Sequence, residues 1–370
     1  MILVTRVYTE LIQAKLIRAQ RGREMRRERC ILFSLLALTA LVVSLVTVEA
    51  AETLPETKLT WHYYKLNTTC RYAEAYVRSQ VEFYWNELKD GSIAPKLLRL
   101  LYSDCFVNGC DASILLDGPN SEKTASQNRG LGGFALIDKI KTVLESRKEC
   151  KGVVSCADIL NLATRDAVHL VKFDHLKPGT ILSCSYRKKG WFGIKCCISG
   201  PPITIHLVGI GSGILQIERL RCVRLGTLLG AHTLGRTHCS YIEDRLYNFN
   251  GTNKPDPSMD TSFLAEMKKK CPQRVKKGQP DPLVFLNPES GSSHNFTNSY
   301  YSRILSHKAV LGVDQQLLFG NDTEQITEEF AAGFEDFRRS FALSMSRMGN
   351  LQVLTGSQGE IRENCRVRNN

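Results

Sequence analysis

The cysteines constrain this chain more than any other feature, because of what precedes them. Residues 31–48 read ILFSLLALTALVVSLVTV, an apolar run without a charge, and Met25-Arg-Arg-Glu-Arg29 stands just before it. Val48-Glu49-Ala50 follows, with small residues at the two positions a signal peptidase reads. A basic region, an apolar run and a small-residue site together define a secretory leader. The run is marginal for a bilayer span, which leaves a membrane anchor as the alternative, and the cleavage site favours removal. We expect residues 1–50 to be removed, Met25 to be the initiator, and the rest to enter an oxidising compartment. There, cysteines pair with one another rather than hold metals. The chain has 13 cysteines, of which Cys30 leaves with the leader. No CxxC pair has a second pair at zinc-site spacing. The Asn-X-Ser/Thr triplets at Asn67, Asn250, Asn295 and Asn321 fit secretion.

Residues 169–226 do not match their surroundings. They hold Cys184, Cys196, Cys197 and Cys222, the basic run Arg187-Lys188-Lys189, and little helix or strand periodicity. Of the chain's net charge of +12, residues 1–50 contribute eight Lys/Arg against four Asp/Glu, which leaves +8. Residues 169–226, with nine against two, supply +7 of that. The basic character is therefore not a property of the main domain. Nucleic-acid binding is excluded, since no basic and aromatic residues interleave. Gly209-Ile-Gly-Ser-Gly213 lacks the third glycine of a dinucleotide fingerprint. We expect the stretch to be foreign to the domain, as retained intron sequence would be. Setting it and Cys30 aside leaves Cys70, Cys105, Cys110, Cys150, Cys156, Cys239, Cys271 and Cys365, an even set as a closed disulfide framework requires.

Elsewhere the pattern is helical. Apolar residues recur at three- and four-residue intervals over 73–89 and 134–148. Residues 153–168 begin with Ser155 and Asp158 near a cap. Residues 324–348 form a long amphipathic segment ending at Gly349. Few runs alternate with period two. The fold class is all-α.

Two segments carry chemistry. In 93–116, Pro95 suits a first helical turn, and Arg99 and Ser103 stand four residues apart on one helix face. Beyond Asp104, a loop between Cys105 and Cys110 leads to Asp111 and Ser113. Two carboxylates, a hydroxyl and the carbonyls of Val107 and Gly109 could converge as hard oxygen ligands for calcium. A disulfide-closed loop with solvated acids is the alternative. In 227–250, the helical His232 lies among Gly230, Ala231 and Gly235, small neighbours that let a flat group approach. Neutral imidazole is the usual protein ligand of haem iron, and such a ligand wants a carboxylate on its other nitrogen. Spacing does not pick that carboxylate.

These segments, with VSCAD at 154–158, GVDQQLLF at 312–319 and RMGNLQVLTGSQGEIRENC at 347–365, strongly resemble the class III secretory plant haem peroxidases. The resemblance covers roughly 60–168 and 225–368. It implies an all-α haem peroxidase domain over 51–370, with haem b between two helical halves. His232 would be the iron ligand and Asp314 the carboxylate behind it. Arg99 would stabilise charge as the peroxide O–O bond breaks. Asp104, Val107, Gly109, Asp111 and Ser113 would hold a distal calcium, with Glu122 joining through water. Thr233, Asn287 and Thr297 stand at a proximal calcium site. The implied disulfides are Cys70–Cys150, Cys105–Cys110, Cys156–Cys365 and Cys239–Cys271. A monomer in the apoplast or cell wall, with the vacuole as the other destination, would use hydrogen peroxide to oxidise phenolic donors at the haem edge near Tyr241.

The chain departs from that pattern in three places. The family's distal motif Arg-Leu-His-Phe-His-Asp-Cys reads Arg99-Leu-Leu-Tyr-Ser-Asp-Cys105 here, so Ser103 stands where the catalytic histidine belongs. Serine cannot accept a proton near neutral pH, and a positioned acid–base group is worth about 10²–10⁴-fold. Asn128, which would orient that histidine, lacks its partner, and the Tyr102 phenol could donate toward a ligand on iron. The proximal calcium carboxylates are replaced by Asn287 and Thr297, and fewer charged oxygens weaken calcium there. Residues 169–226 replace the family's turns and the helix leading to His232. The resemblance thus leaves two functions to separate, a peroxidase of reduced turnover and a haem-binding pseudo-peroxidase with a structural or binding role in the wall.

Overall fold

Leucine, isoleucine and valine at helical spacing build most of the molecule, a computed structural model that describes residues 62–171, 222–273, 279–289 and 294–369. The leader and most of 169–226 lie outside the described residues. The first half contains α1 (Tyr63–Asn67), α2 (Ala73–Asn86), α3 (Ile93–Cys105), α4 (Phe134–Glu145) and α5 (Cys156–Leu170). In α2, Ala73, Val77 and Val81 form one buried stripe at four-residue intervals, the spacing that sets side chains on one face. Each such valine, once fully buried, contributes about 1.5–3 kcal/mol. The expected cap of α5 forms: the Ser155 hydroxyl accepts the Asp158 N–H at 3.0 Å, closing an otherwise unpaired backbone donor.

Helix α3 is buried on nearly every side. Ile93, Ala94, Leu97, Leu98, Leu100 and Leu101 all enter the core. The Thr164 hydroxyl of α5 donates to the Leu160 carbonyl at 2.7 Å and approaches the Leu97 carbonyl at 3.4 Å, marking where α5 lies along α3. Exposure is confined to a narrow strip that includes Arg99. The helix is therefore a firmly packed mount, with Arg99 on its outward strip and Ser103 and Asp104 buried.

The second half contains α6 (Cys222–Leu229), α7 (Glu243–Tyr247), α8 (Thr261–Lys270), α9 (Ser299–Leu305), α10 (Gly312–Gln315), α11 (Asn321–Ala332) and α12 (Phe334–Met348). Its core is aromatic. Phe296 stacks on Phe337 at 5.1 Å, and Tyr301 meets Phe337 edge-on at 5.0 Å. Residues 324–348, expected as one amphipathic segment, are two helices broken at Gly333, whose backbone is extended (φ −125°, ψ 99°). A β-carbon there would lie 2.7 Å from an Asp336 carboxylate oxygen. Two short strands, β1 (Arg236–His238) and β2 (Leu283–Phe285), pair antiparallel with Thr237 opposite Val284. Three residues are too few to display an alternating pattern, so the sequence did not announce them.

Among the described residues four disulfides form, Cys70–Cys150, Cys105–Cys110, Cys156–Cys365 and Cys239–Cys271, the pairing that the resemblance implied. Cys156–Cys365 joins residues 209 apart and fastens the C-terminal segment to the start of α5. Longer closed loops restrict the unfolded chain more. Beside it the Arg366 guanidinium donates to both Asp138 oxygens, at 2.8 and 2.7 Å. Cys239–Cys271 centres a second, smaller core with Ile242, Leu246, Met259, Phe263 and Val310. Inside that region Arg245 Nε donates to Asp256 Oδ2 at 2.7 Å. Its Nη1 donates to the carbonyls of Ala309 and Val310, at 2.5 and 2.9 Å.

Candidate functional site

Arg99 and Ser103 lie one turn apart on α3, Arg99 exposed and Ser103 buried. Arg99 Nη2 donates to the Gln127 carbonyl at 3.0 Å, and its guanidinium sits 5.6 Å over the Tyr102 ring. Tyr102 packs on Phe106 at 4.5 Å. Burial pushes its phenol above the usual range, against the opposing pull of Arg99. The O–H therefore stays protonated at neutral pH and can only donate or accept a hydrogen bond. Asn128 is buried, and its Nδ2 donates to the Glu122 carbonyl at 2.8 Å. That bond assigns the amide orientation and leaves Oδ1 as the acceptor.

Past α3 the chain turns through left-handed Asn108, Gly109 and Ala112, with φ of 62°, 108° and 62°. Gly109 is required twice over: its φ suits glycine, and a β-carbon would fall 2.5 Å from Gln352 Cβ. The turn folds Asp111 and Ser113 back toward Asp104. Asp104 is wholly buried; Oδ2 accepts the Ala112 N–H at 3.0 Å and Oδ1 the Ile114 N–H at 3.5 Å. Asp111 Oδ1 accepts the Ser113 N–H at 2.9 Å. Burial, reinforced by Asp111 and Glu122, pushes the Asp104 carboxyl up to about 8 despite its backbone donors. Glu122 is raised by burial and by Asp111 as well.

Asp104 is buried and Asp111 and Glu122 are half-buried; carboxyls among hydroxyl and carbonyl oxygens are the kind of donors that a hard divalent cation takes. Arg362, which sequence reasoning missed, closes the far side. Its Nη2 donates to the Ala112 carbonyl at 2.8 Å and its Nη1 to the Cys365 carbonyl at 3.1 Å. No group of three or more His, Cys, Asp or Glu side chains arranged for a metal occurs among the described residues. The expected calcium set draws on only two carboxylates directly, with Ser113, Val107 and Gly109 supplying the other oxygens.

A helix does lead to His232, α6 (Cys222–Leu229), where residues 169–226 were expected to replace it; His232 itself sits in the 3₁₀ turn Gly230–Thr233 that follows, rather than in the α-helix expected for it. The glycine before it serves the core. A β-carbon on Gly230 would lie 2.4 Å from Tyr301 Oη and 2.5 Å from Phe337, so this small residue admits aromatic packing rather than a flat ligand. His232 Nδ1 lies 2.9 Å from Asp314 Oδ1. Asp314 is 2% exposed and His232 30%. The ring N–H thus donates to a buried carboxylate, which leaves Nε2 with its lone pair outward. The same Asp314 oxygen accepts the Tyr300 hydroxyl at 2.8 Å. Burial, then the Asp314 charge, raises the Tyr300 phenol well above its ordinary range, so it remains a donor. Nothing in the sequence pattern pointed to Tyr300.

Thr233, Asn287 and Thr297 do come together, but as a neutral network. The Thr233 hydroxyl donates to the Thr297 carbonyl at 2.8 Å. Asn287 Nδ2 donates to Thr233 Oγ1 at 3.2 Å and to Ser299 Oγ at 2.8 Å. Thr297 and Ser299 hydroxyls are 2.7 Å apart. Hydroxyls and the Asn287 amide N–H hydrogen-bond one another here, where charged oxygens would draw a cation more strongly. The two chemical segments meet at Gly235 (φ 95°), where a β-carbon would approach Pro95 Cβ at 3.2 Å. Tyr241 is exposed, its ring 6.4 Å from that of His238. Asn67, Asn250 and Asn321 are exposed, while Asn295 is half-buried.

A helical fold with four such disulfides and a carboxylate-backed histidine defines a class. Residues 77–180 and 224–333 match the family model described as Peroxidase, and the chain belongs to the peroxidase family. It is an oxidoreductase of the class III plant type by family, and the family implies haem, hydrogen peroxide and an oxidisable donor. Among its relatives is Probable peroxidase 61 of Arabidopsis thaliana, 59% identical over 343 residues, covering 91% of this chain and 97% of that protein. Probable peroxidase 26 of the same plant is 60% identical over 309 residues, covering 84% and 89%. Peroxidase 60 is 40% identical over 280 residues, covering 75% and 82%. The family match runs to residue 180 and resumes at 224, so both ends of the stretch 169–226, expected to be foreign to the domain, fall within it. Among the described residues no helix is long and apolar enough to cross a membrane.

Proposed function

We propose that this chain is a secreted haem b peroxidase that oxidises phenolic donors and removes hydrogen peroxide under oxidative stress, with turnover lowered by Ser103. The hydrogen bond from His232 to the buried Asp314 carries the reading, because it prepares Nε2 as a strong neutral ligand. When bound, the haem supplies the redox chemistry, taking two oxidising equivalents from peroxide and passing them singly to donors. Asp314 fixes the tautomer of His232 and strengthens its donation. Arg99 is positioned to stabilise negative charge as the O–O bond lengthens. Ser103 and Tyr102 can donate hydrogen bonds to a bound oxygen but cannot take the peroxide proton. Donors would approach near the exposed Tyr241. A haem-binding pseudo-peroxidase in the wall is the second reading, and the absence of a base at Ser103 favours it.

The absorption spectrum of the secreted protein tests the proposal. A Soret band that shifts rapidly on adding hydrogen peroxide supports turnover. A band that barely responds leaves the pseudo-peroxidase, and no band defeats both.

For calcium, the charge crowding around Asp104 fits a resident ion, and the neutral Thr233 network does not. We infer one calcium per chain, held by Asp104, Val107, Gly109, Asp111 and Ser113, with Glu122 behind a water. Metal analysis of dialysed protein is expected to find one equivalent; two would show that the Thr233 cluster opens. Calcium at 100 times its Kd should stabilise by about 2.7 kcal/mol. Chelation is then expected to lower Tm by roughly several degrees, measured with the disulfides intact.

A further inference from the structure

We propose that Tyr300 is a positioning residue that sets how strongly His232 donates to iron. The inference rests on the haem-ligand reading above and deepens it. Asp314 Oδ1 accepts two hydrogen bonds at once, from His232 Nδ1 at 2.9 Å and from Tyr300 Oη at 2.8 Å. Both Tyr300 and Asp314 are buried, so water does not compete for that oxygen. The Tyr300 ring also meets the imidazole edge-on, with centroids 6.4 Å apart and an angle of 71°.

Two donors on one oxygen compete for its charge. A carboxylate pulls the Nδ1 proton in proportion to the negative charge it can offer. The phenol takes part of that charge. The imidazole therefore keeps more neutral character, and Nε2 donates less to the metal than an unshared carboxylate would allow. Tyr301, next in sequence and equally buried, makes no such bond; its hydroxyl goes to the Gly226 carbonyl at 3.1 Å. One tyrosine hydroxyl thus bonds the carboxylate and its neighbour's bonds backbone carbonyls.

The test compares Tyr300→Phe and Tyr301→Phe in the full secreted chain, reconstituted with haem. The readouts are the iron–histidine stretching band of the ferrous protein and its ferric/ferrous reduction potential. For Tyr300→Phe the band is expected to move to higher wavenumber and the potential to fall, since the freed carboxylate pulls harder. Tyr301→Phe should move neither. If Tyr300→Phe leaves both values at those of the parent, the tuning role is overturned. If the parent itself shows no iron–histidine band, the haem-ligand reading fails instead, and the two failures are distinct. Should Tyr300→Phe not fold, fluorotyrosine placed at position 300 keeps the shape and strengthens the donor. The band must then move to lower wavenumber, and an unmoved band there overturns the proposal equally.

Discussion

Replacing Ser103 with histidine is expected to raise the rate of reaction with hydrogen peroxide by about 10²–10⁴-fold, the worth of a positioned acid–base group. The surrounding residues are already arranged for it. Position 103 lies on the same face of α3 as Arg99, one turn away. Asn128 donates through Nδ2 to the Glu122 carbonyl at 2.8 Å, so its Oδ1 is the atom free to orient an introduced imidazole. Arg99 remains exposed to receive the developing charge. Stopped-flow mixing of each protein with peroxide, followed in the Soret region, gives the two rates. A variant that binds haem yet gains less than about tenfold would place the defect elsewhere than in the missing base, and would favour a wall protein that carries haem without turnover.

Asp256→Asn is expected to destabilise the protein by about 3–5 kcal/mol, because it leaves a buried guanidinium without its counter-charge. Arg245 and Asp256 are 3% and 4% exposed. The pair also steadies the site. Arg245 holds the carbonyls of Ala309 and Val310, and α10, which carries Asp314, begins at Gly312. Loosening that segment releases the carboxylate that orients His232, so the variant should also bind haem less tightly.

The effect has a pH signature. Burial alone would raise the Asp256 carboxyl, but the Ser258 hydroxyl and the Arg245 guanidinium outweigh it and hold it below the usual range. A carboxyl depressed in the folded state stabilises above its unfolded pKa of about 3.9 and loses that contribution as pH falls through its folded value. Urea unfolding at pH 6 should show the full gap between variant and parent, and the gap should narrow below about pH 4. A difference under about 1 kcal/mol at pH 6 would show the pair to be dispensable.

Particular residues show where sequence reasoning reached and where it stopped. The cap at Ser155, the valine stripe of α2 and the helix carrying Arg99 were legible, because each depends on residues within a turn or two of one another. The break at Gly333 was not, since an amphipathic pattern runs through it and only the packing near Asp336 gives the reason. Gly230 was misread for the same cause: its small size answers to Tyr301 and Phe337, 71 and 107 positions further along.

The sequence by itself determined the all-α class, the cysteine set and the serine at position 103. Periodicity is local, a count of cysteines needs no geometry, and a missing imidazole is missing in any fold. Asp314, which only the resemblance had put behind His232, reaches it through tertiary structure from 82 positions away, and tertiary structure also decided that Tyr300 shares its oxygen and how Thr233, Asn287 and Thr297 bond one another. Those are contacts between segments whose separation along the chain says nothing of their distance in space. Only the packing of the helices brings them together.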